Sequence, residues 1–243
     1  MPQRADRGAD QLRAVTFVPA FQANPAGSVL VSIGGTRVIC SVSDVPGIPR
    51  WMIEQKQPGG WLTAEYRMLP GATLERSQRE STGTSGIGGR AQEIQRLIGR
   101  SLRSVLDLTK IGQRTLYVDC DVLDADGGTR CAAITGAGVA LELALRKLFI
   151  AGALSTWPLR EQVAAVSVGV VHGEPRLDLC YEEDSAADVD MNVVMTAGGQ
   201  FVEVQGTAEH RPFGQSDMEQ MLSLARKGLA ELFALQRQAL GKK

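Results

Sequence analysis

Residues 126–130, Asp126-Gly127-Gly128-Thr129-Arg130, bring together the parts of an anion site. Two glycines let a backbone turn sharply and carry its N–H groups close to a ligand. A helix starting there presents unsatisfied N–H groups and a positive dipole end. Thr129 adds a hydroxyl donor and Arg130 a forked cation, a set that suits phosphate. Alone, the pentapeptide reads equally well as a plain strand-to-helix turn with a surface arginine. Arg90, just after Gly88-Gly89 at a helix start, is a second position that could face phosphate. A third group is acidic: Glu182, Glu183, Asp184, Asp188 and Asp190 fall between two strand-like segments. Oxygen-only donors suit a hard ion such as Mg²⁺ or Mn²⁺, and magnesium uses one or two carboxylates, leaving positions for water and substrate phosphate. An acidic surface loop is the alternative. Spacing does not say which carboxylates converge, although Asp188 and Asp190 share a face if both lie in a strand.

These groups need elements to hold them. Residues 115–122 alternate, with Leu116, Val118, Cys120 and Val122 on one face, so a strand leads into the glycine turn. Residues 132–149 are almost wholly apolar and predict a helix buried on most sides. Upstream, residues 28–33 and 36–43 read as strands joined by the hairpin loop Gly34-Gly35. Residues 45–60, with Pro46, Pro49, Pro58, Gly59 and Gly60, read as loop. Residues 61–68 form a strand stopped by Leu69-Pro70-Gly71, residues 71–89 are polar and glycine-rich, and a helix runs from Arg90 to about Leu108. Residues 163–171, 176–181, 191–196 and 201–207 read as further strands. A last helix opens at Ser216, with Glu219 three residues on as a capping box. Hairpins mixed with helices give an α+β class rather than a purely parallel sheet.

The chain has 243 residues, 44% hydrophobic and 22% charged, enough for one large domain or two halves. The net charge of −1 excludes a global basic field, so nucleic acid would have to meet a local patch. No run of about 18 uncharged apolar residues is present, so no membrane span is expected. Residues 1–10 are polar and charged, unlike a secretory signal. Cys40, Cys120, Cys131 and Cys180 are scattered, with no Cys-x-x-Cys pair, as in the reduced thiols of a cytoplasmic protein. His172 and His210 adjoin no serine or cysteine nucleophile motif, so no catalytic triad is expected. A local basic patch does exist. Eight arginines lie between Arg67 and Arg114, and on the helix after Arg90 the residues Arg96, Arg100 and Arg103 oppose an apolar face of Ile94, Leu97, Ile98, Leu102 and Val105. Arginine forks onto phosphates bidentately. The bland reading is a solvated or ion-paired face, for which Glu75, Glu80, Glu93 and Asp107 are available.

Five segments carry a resemblance over nearly the whole chain. They are Gly60-Trp-Leu-Thr-Ala-Glu-Tyr66 continuing through Met68-Leu-Pro70, Gly89-Arg-Ala-Gln-Glu-Ile-Gln-Arg-Leu-Ile-Gly-Arg100, Asp119-Cys-Asp-Val-Leu-Asp-Ala-Asp-Gly-Gly-Thr-Arg130, Tyr181-Glu-Glu-Asp-Ser-Ala-Ala-Asp-Val-Asp-Met-Asn192 and Glu203-Val-Gln-Gly-Thr-Ala-Glu-His210. In this order they resemble the bacterial ribonuclease PH family, phosphorolytic 3′→5′ exoribonucleases that trim tRNA precursors. The resemblance implies a two-layer fold of mixed sheets and helices, with residues 1–243 as one catalytic domain, in a homohexamer built as a trimer of dimers. It implies RNA with a single-stranded 3′ end as substrate and inorganic phosphate as co-substrate. Carried over by motif, Arg90, Gly128, Thr129 and Arg130 would bind the attacking phosphate, and Asp184 and Asp190 would hold Mg²⁺ or Mn²⁺ at the scissile bond. Arg76 and Arg79, joined by Arg96, would guide the RNA. The chain departs from the family at Arg4-Ala-Asp-Arg-Gly8, where Arg-Pro-Asp-Gly-Arg is usual. It also has Gly71 and Leu74 in place of frequent Arg and His, and Cys131 in place of Thr. Two competing readings are a non-catalytic RNA-binding subunit of a degradation ring and a hydrolytic metal nuclease. The first would be expected to lose the phosphate arginines or the carboxylates, all kept here. The second leaves Gly128-Thr129-Arg130 unexplained.

Overall fold

A computed structural model describes residue 4 and residues 7–79 and 88–241. In chain order the elements are β1 (Val15–Pro19), β2 (Gly27–Ile33), β3 (Thr36–Pro46), α1 (Arg50–Glu54), β4 (Trp61–Met68), α2 (Gly89–Val105), β5 (Arg114–Asp124) and α3 (Thr129–Ile150). They continue with β6 (Val163–Val171), β7 (Glu174–Leu177), α4 (Tyr181–Ser185), β8 (Ala187–Thr196), β9 (Phe201–Ala208) and α5 (Gln215–Ala239). One sheet has the order β1-β2-β3-β5-β4 and the other β7-β6-β8-β9. Among the described residues only β4, which runs parallel to β5, breaks the antiparallel pattern. The mixture of sheets and helices is the α+β class expected from the sequence.

The run of nine apolar or small residues in β6 follows from what lies on its two faces. Val163 and Ala165 join the core built on the first sheet, α2 and α3. Ala164, Val166, Val168 and Val170 join the core beneath α5, with Met221, Ala225, Leu229, Leu232 and Phe233. A strand covered on both faces has no polar side to show, so its sequence does not alternate. Small residues let α3 settle onto the first sheet. A side chain at Gly27 of β2 would meet the Ala140 carbonyl at 2.2 Å and the Ala144 nitrogen at 2.5 Å. Gly136 of α3 leaves the same kind of room for Val31 and Cys40.

Several boundaries differ from the sequence expectation, each for a local reason. The stretch 45–60 is not all loop: β3 runs on to Pro46 beside β5, and α1 forms with Arg50 paired to Glu54 at 2.8 Å. The expected strand 176–181 stops at Leu177, because Asp178 takes a left-handed backbone (φ 56°) and α4 begins at Tyr181. The strand expected from Met191 starts earlier, at Ala187, which places Asp188 and Asp190 in β8. The Ser216–Glu219 capping box does not form. Gln215 already opens α5, the Gly214 N–H donates to Asp217 Oδ2 at 3.1 Å, and Glu219 accepts from Gln215. The helix from Arg90 ends at Val105, where Leu106 turns extended and bridges to Leu159. In the polar stretch 71–89, Glu80, Gly83 and Gly86 lie outside the described residues. Among the described residues no helix is long and apolar enough to cross a membrane, and all four cysteines are free.

Gly27→Ala should push β2 and α3 apart, an overpacking cost of about 1–3 kcal/mol. At roughly 2–4 °C per kcal/mol for a chain of this size, calorimetry should show a fall in Tm of several degrees. Gly71→Ala, where nothing stands within 4 Å of the new methyl, should leave Tm unchanged.

Candidate active site

The glycine turn is built by what holds its carbonyls. Gly127 and Gly128 both take left-handed backbone, φ 71° and 65°. The Thr36 hydroxyl donates to the Gly127 carbonyl at 2.6 Å and accepts from the Asp126 N–H at 2.9 Å. Arg13 donates to the carbonyls of Asp126 and Gly127. The first helical bond of α3 runs from the Ala132 N–H to the Gly128 carbonyl, so the N–H groups of Thr129, Arg130 and Cys131 precede the helical ladder. A side chain at Gly127 would stand 2.6 Å from the Leu179 carbonyl oxygen and 2.8 Å from the Tyr181 nitrogen. The turn therefore lies directly against the backbone that leads into α4. Only glycine satisfies both that approach and the positive φ.

Next to this turn is a cavity of about 450 Å³. Arg90, Gly128, Thr129 and Arg130 line it together with Asp184 of α4 and Asp190 of β8. All six expected phosphate and carboxylate positions thus meet in one place. The Thr129 hydroxyl accepts from Tyr66 Oη at 2.8 Å, which leaves its own proton to donate elsewhere. Burial raises the Tyr66 phenol, so it remains a donor at neutral pH. Arg130 donates through Nη1 to Gln205 Oε1 at 2.8 Å. Burial pushes the Asp184 carboxyl up, against the pull of Arg90 and Arg130. Burial also pushes Asp190 up, and the charges of Asp184 and Glu209 add to it. Asp190 Oδ1 is buried and accepts no hydrogen bond. The cavity thus has a cationic wall and an anionic wall, and the anionic wall is under-satisfied.

Glu183, beside Asp184, anchors the short helix. Its carboxylate accepts from Arg4, from Arg7 at 3.2 Å, from Arg176 at 3.1 Å and from the Cys180 N–H at 3.1 Å. Burial alone would raise this carboxyl, but the Arg4 bonds, the Cys180 N–H and the Arg7 charge outweigh it and hold it at about 2.

Residues 11–146 match the 3′ exoribonuclease family, domain 1, and residues 161–228 match domain 2 of the same family. The chain belongs to the 3′ exoribonuclease family. It is 53% identical to the ribonuclease PH of Syntrophomonas wolfei over 241 residues, covering 99% of this chain and all of that one. Its fold is similar to that of the Archaeoglobus fulgidus exosome with RNA bound to the active site. There the TM-score is 0.74 at 23% identity, over 93% of this chain and 88% of that one. An archaeal exosome core superposes with a TM-score of 0.72, also at 23% identity, over 96% of this chain and 89% of that one. At such identity the two exosome structures speak for the fold.

In this member of the family, Arg76, Arg79 and Arg96 are exposed and do not line the cavity. The rest of the basic stripe is partly structural. Arg100 of α2 pairs with Glu203 of β9, and Arg103 lies 4.8 Å from the Trp61 ring centroid while donating to the Leu62 carbonyl at 3.0 Å. Asp188, on β8 with Asp190, pairs with Arg211 at 3.4 Å and stays out of the cavity. The departures from the family pattern have visible settings. Leu74 is fully exposed, and Gly71 has open space around it. Cys131 is buried, its thiol pushed up to about 12 by burial, and its Sγ–H donates to Asn192 Oδ1 at 3.2 Å. Arg4 finds Glu183 despite the altered N-terminal motif. The cavity also holds residues that the chemistry of the sequence did not single out: Glu93, Ser167, Asn192, Gln205, Thr207, Glu209 and His210. Five of them fall in the segments 89–100 and 203–210, so the signal was present as motif rather than as recognisable chemistry.

The Glu183 anchor has a pH signature. Its folded carboxyl is depressed, so its stabilisation is complete above the unfolded value of 4.5 and is lost as pH falls through about 2. Glu183→Gln should lower Tm markedly at pH 7, since breaking a buried ion pair costs about 3–5 kcal/mol. Thermal unfolding of both proteins between pH 7 and pH 2 should show the gap closing toward the acid end.

Proposed function

We propose that this chain is a phosphorolytic 3′→5′ exoribonuclease acting on tRNA precursors, and that the cavity holds inorganic phosphate as the nucleophile. One observation carries the reading: Arg90, Gly128-Thr129-Arg130, Asp184 and Asp190 line a single cavity. Phosphate attack on a phosphodiester sets one anion against another. Arg90, Arg130 and the N–H groups at the start of α3 neutralise and orient the attacking anion, while the Thr129 hydroxyl, engaged from behind by Tyr66, offers it a further donor. A phosphate oxygen bonds to the phosphorus of the 3′-terminal diester. The bond from that phosphorus to the 3′ oxygen of the preceding nucleotide breaks. The leaving oxygen takes a proton, giving a nucleoside diphosphate and an RNA one nucleotide shorter. Phosphate is already a competent nucleophile, so no serine–histidine device is needed.

The residues also fit a hard metal ion. Asp184 and Asp190 would hold Mg²⁺ or Mn²⁺, and the orphaned Asp190 Oδ1 is the acceptor such an ion would satisfy. When bound, the ion supplies Lewis-acid stabilisation of charge on the scissile phosphate or the leaving oxygen. Arg76, Arg79 and Arg96, exposed outside the cavity, are read as guides for the single-stranded 3′ end. We further read residues 1–243 as one catalytic domain, because α3 and α4 each contribute a wall of the cavity. The assembly is read as a homohexamer, a trimer of dimers, working in the cytoplasm.

The test is phosphate dependence. RNA with a single-stranded 3′ end should be degraded only when phosphate is added, with nucleoside diphosphates as products; monophosphates formed without phosphate would sink the reading. Arg90→Ala and Asp184→Ala should each cut turnover by at least about 100-fold while Tm and subunit assembly stay unchanged. Full activity of Asp184→Ala would remove that residue from the mechanism.

A further inference from the structure

Glu93 and Gln205 line the cavity without a task in this chemistry. Glu93 lies on α2, one turn beyond Arg90, and Gln205 lies on β9. Gln205 accepts from Arg130 Nη1 through Oε1 at 2.8 Å and donates through Nε2 to Glu93 Oε1 at 2.8 Å. Glu93 Oε1 is itself 3.5 Å from Arg130 Nη1. A carboxylate can only accept, so Glu93 forces the amide to turn its NH₂ inward and its oxygen toward Arg130. The chain of donors therefore runs in one direction, from Arg130 to Gln205 to Glu93. Among the described residues the contacts of Arg130 with Gln205 and Glu93 both use Nη1, which leaves the Nη2–Nε edge for a ligand. Bidentate contact with phosphate needs that planar edge held in a fixed orientation.

A second contact keeps the relay in register. Glu203 and Gln205 lie two residues apart on one face of β9, and Glu93 and Arg100 lie seven apart on one face of α2. The Arg100–Glu203 ion pair fastens the helix to the strand two turns beyond the Glu93–Gln205 bond. One helix thus carries a phosphate arginine, Arg90, and the anchor for the other, Arg130.

We infer that Glu93 and Gln205 are positioning residues that fix the Arg130 fork before phosphate arrives, and so set the affinity for phosphate rather than for RNA. This rests on the phosphorolysis reading of the same cavity. The competing effect of Glu93 is repulsion, since its carboxylate also faces the incoming anion. The two effects have opposite signs and can be separated.

The experiment is steady-state kinetics of the full-length enzyme with phosphate and RNA varied independently. Gln205→Leu and Glu93→Ala should each raise KM for phosphate about tenfold, with KM for RNA and Tm unchanged. Glu93→Gln, which keeps an acceptor at the same place, should restore most of the phosphate affinity. The double variant should be no worse than either single one, because both act through one relay. In the reverse direction KM for a nucleoside diphosphate should rise in parallel, as its β-phosphate would meet the same fork. Two results overturn the inference: a lower KM for phosphate in Glu93→Ala, which would make Glu93 a repelling charge only, or equal losses in RNA and phosphate affinity, which would make the relay merely structural. Phosphate-independent degradation by the unaltered enzyme would overturn the reading beneath it. Phosphate-dependent degradation with an unchanged KM in Gln205→Leu would overturn the positioning role alone.

Discussion

The site depends on one close approach: the Gly127 turn resting on the backbone of Leu179 to Tyr181. Gly128, Thr129 and Arg130 are placed by the start of α3, and Asp184 is placed by α4, while Arg90 comes in from α2. The starts of α3 and α4 touch at this point. The Arg13–Asp178 pair locks the contact from the side. The Arg13 guanidinium meets both Asp178 oxygens, at 2.7 and 3.0 Å, and reaches the carbonyls of the turn. Both side chains are buried, so losing either would leave the other with a more distant partner only, Arg7 for Asp178 at 3.9 Å or Asp126 for Arg13 at 3.5 Å. Burial works against the Arg13 cation, yet the Asp178 hydrogen bonds and charge more than offset it and raise its pKa. The left-handed backbone of Asp178 is the strain accepted to bring its carboxylate there.

Given that contact, charge separation inside the cavity follows from the local fold rather than from the whole chain. A net charge of −1 cannot steer an RNA, and the arginines between Arg67 and Arg114 do not act as one patch. Arg100 and Arg103 join elements of the fold, Arg90 and the downstream Arg130 enter the cavity, and Arg76, Arg79 and Arg96 stay in solvent. The acidic run divides in the same manner. Glu183 is spent on Arg4, Arg7 and Arg176, Asp188 on Arg211, and only Asp184 and Asp190 are left facing the cations. Structural pairing thus does the selecting. The carboxylates that the arginines of the fold do not claim face the cavity, and Arg130, although held by Gln205 and Glu93 at Nη1, enters it too.

This division explains what could be read from the sequence. The strand into the turn, the buried α3 and the candidate phosphate positions Arg90, Gly128, Thr129 and Arg130 were legible as local patterns, whereas Asp184 and Asp190 were singled out of the acidic run only by the family resemblance. The fate of Glu182 to Asp190 was not legible by spacing. It depends on Arg4, Arg7 and Arg211, which are distant in sequence, and on a helix of five residues too short to have a period. The strand expected across Asp178 failed for a related reason. Its residues are β-prone, but a tertiary ion pair with Arg13 sets the Asp178 backbone. Likewise Ser216 and Glu219 have the spacing of a cap, yet Asp217 reached the free Gly214 N–H first. At Asp178 a long-range ion pair wins over local strand preference, whereas at Gly214 one local cap displaces another.

The basic stripe shows the converse. Arg96, Arg100 and Arg103 lie on one side of α2 as periodicity requires, but periodicity cannot say whether the facing surface is solvent or β9. That β9 lies there depends on the second sheet, whose strand order places β9 at its edge. An edge strand carries side chains that a helix from the other half of the chain can grip. Glu203 and Gln205 are gripped by Arg100 and Glu93. The same grip brings Gln205 to Arg130. A contact that closes the gap between the halves is therefore also a contact of the cavity: the Gln205 side chain meets α2 through its Nε2 and Arg130 through its Oε1.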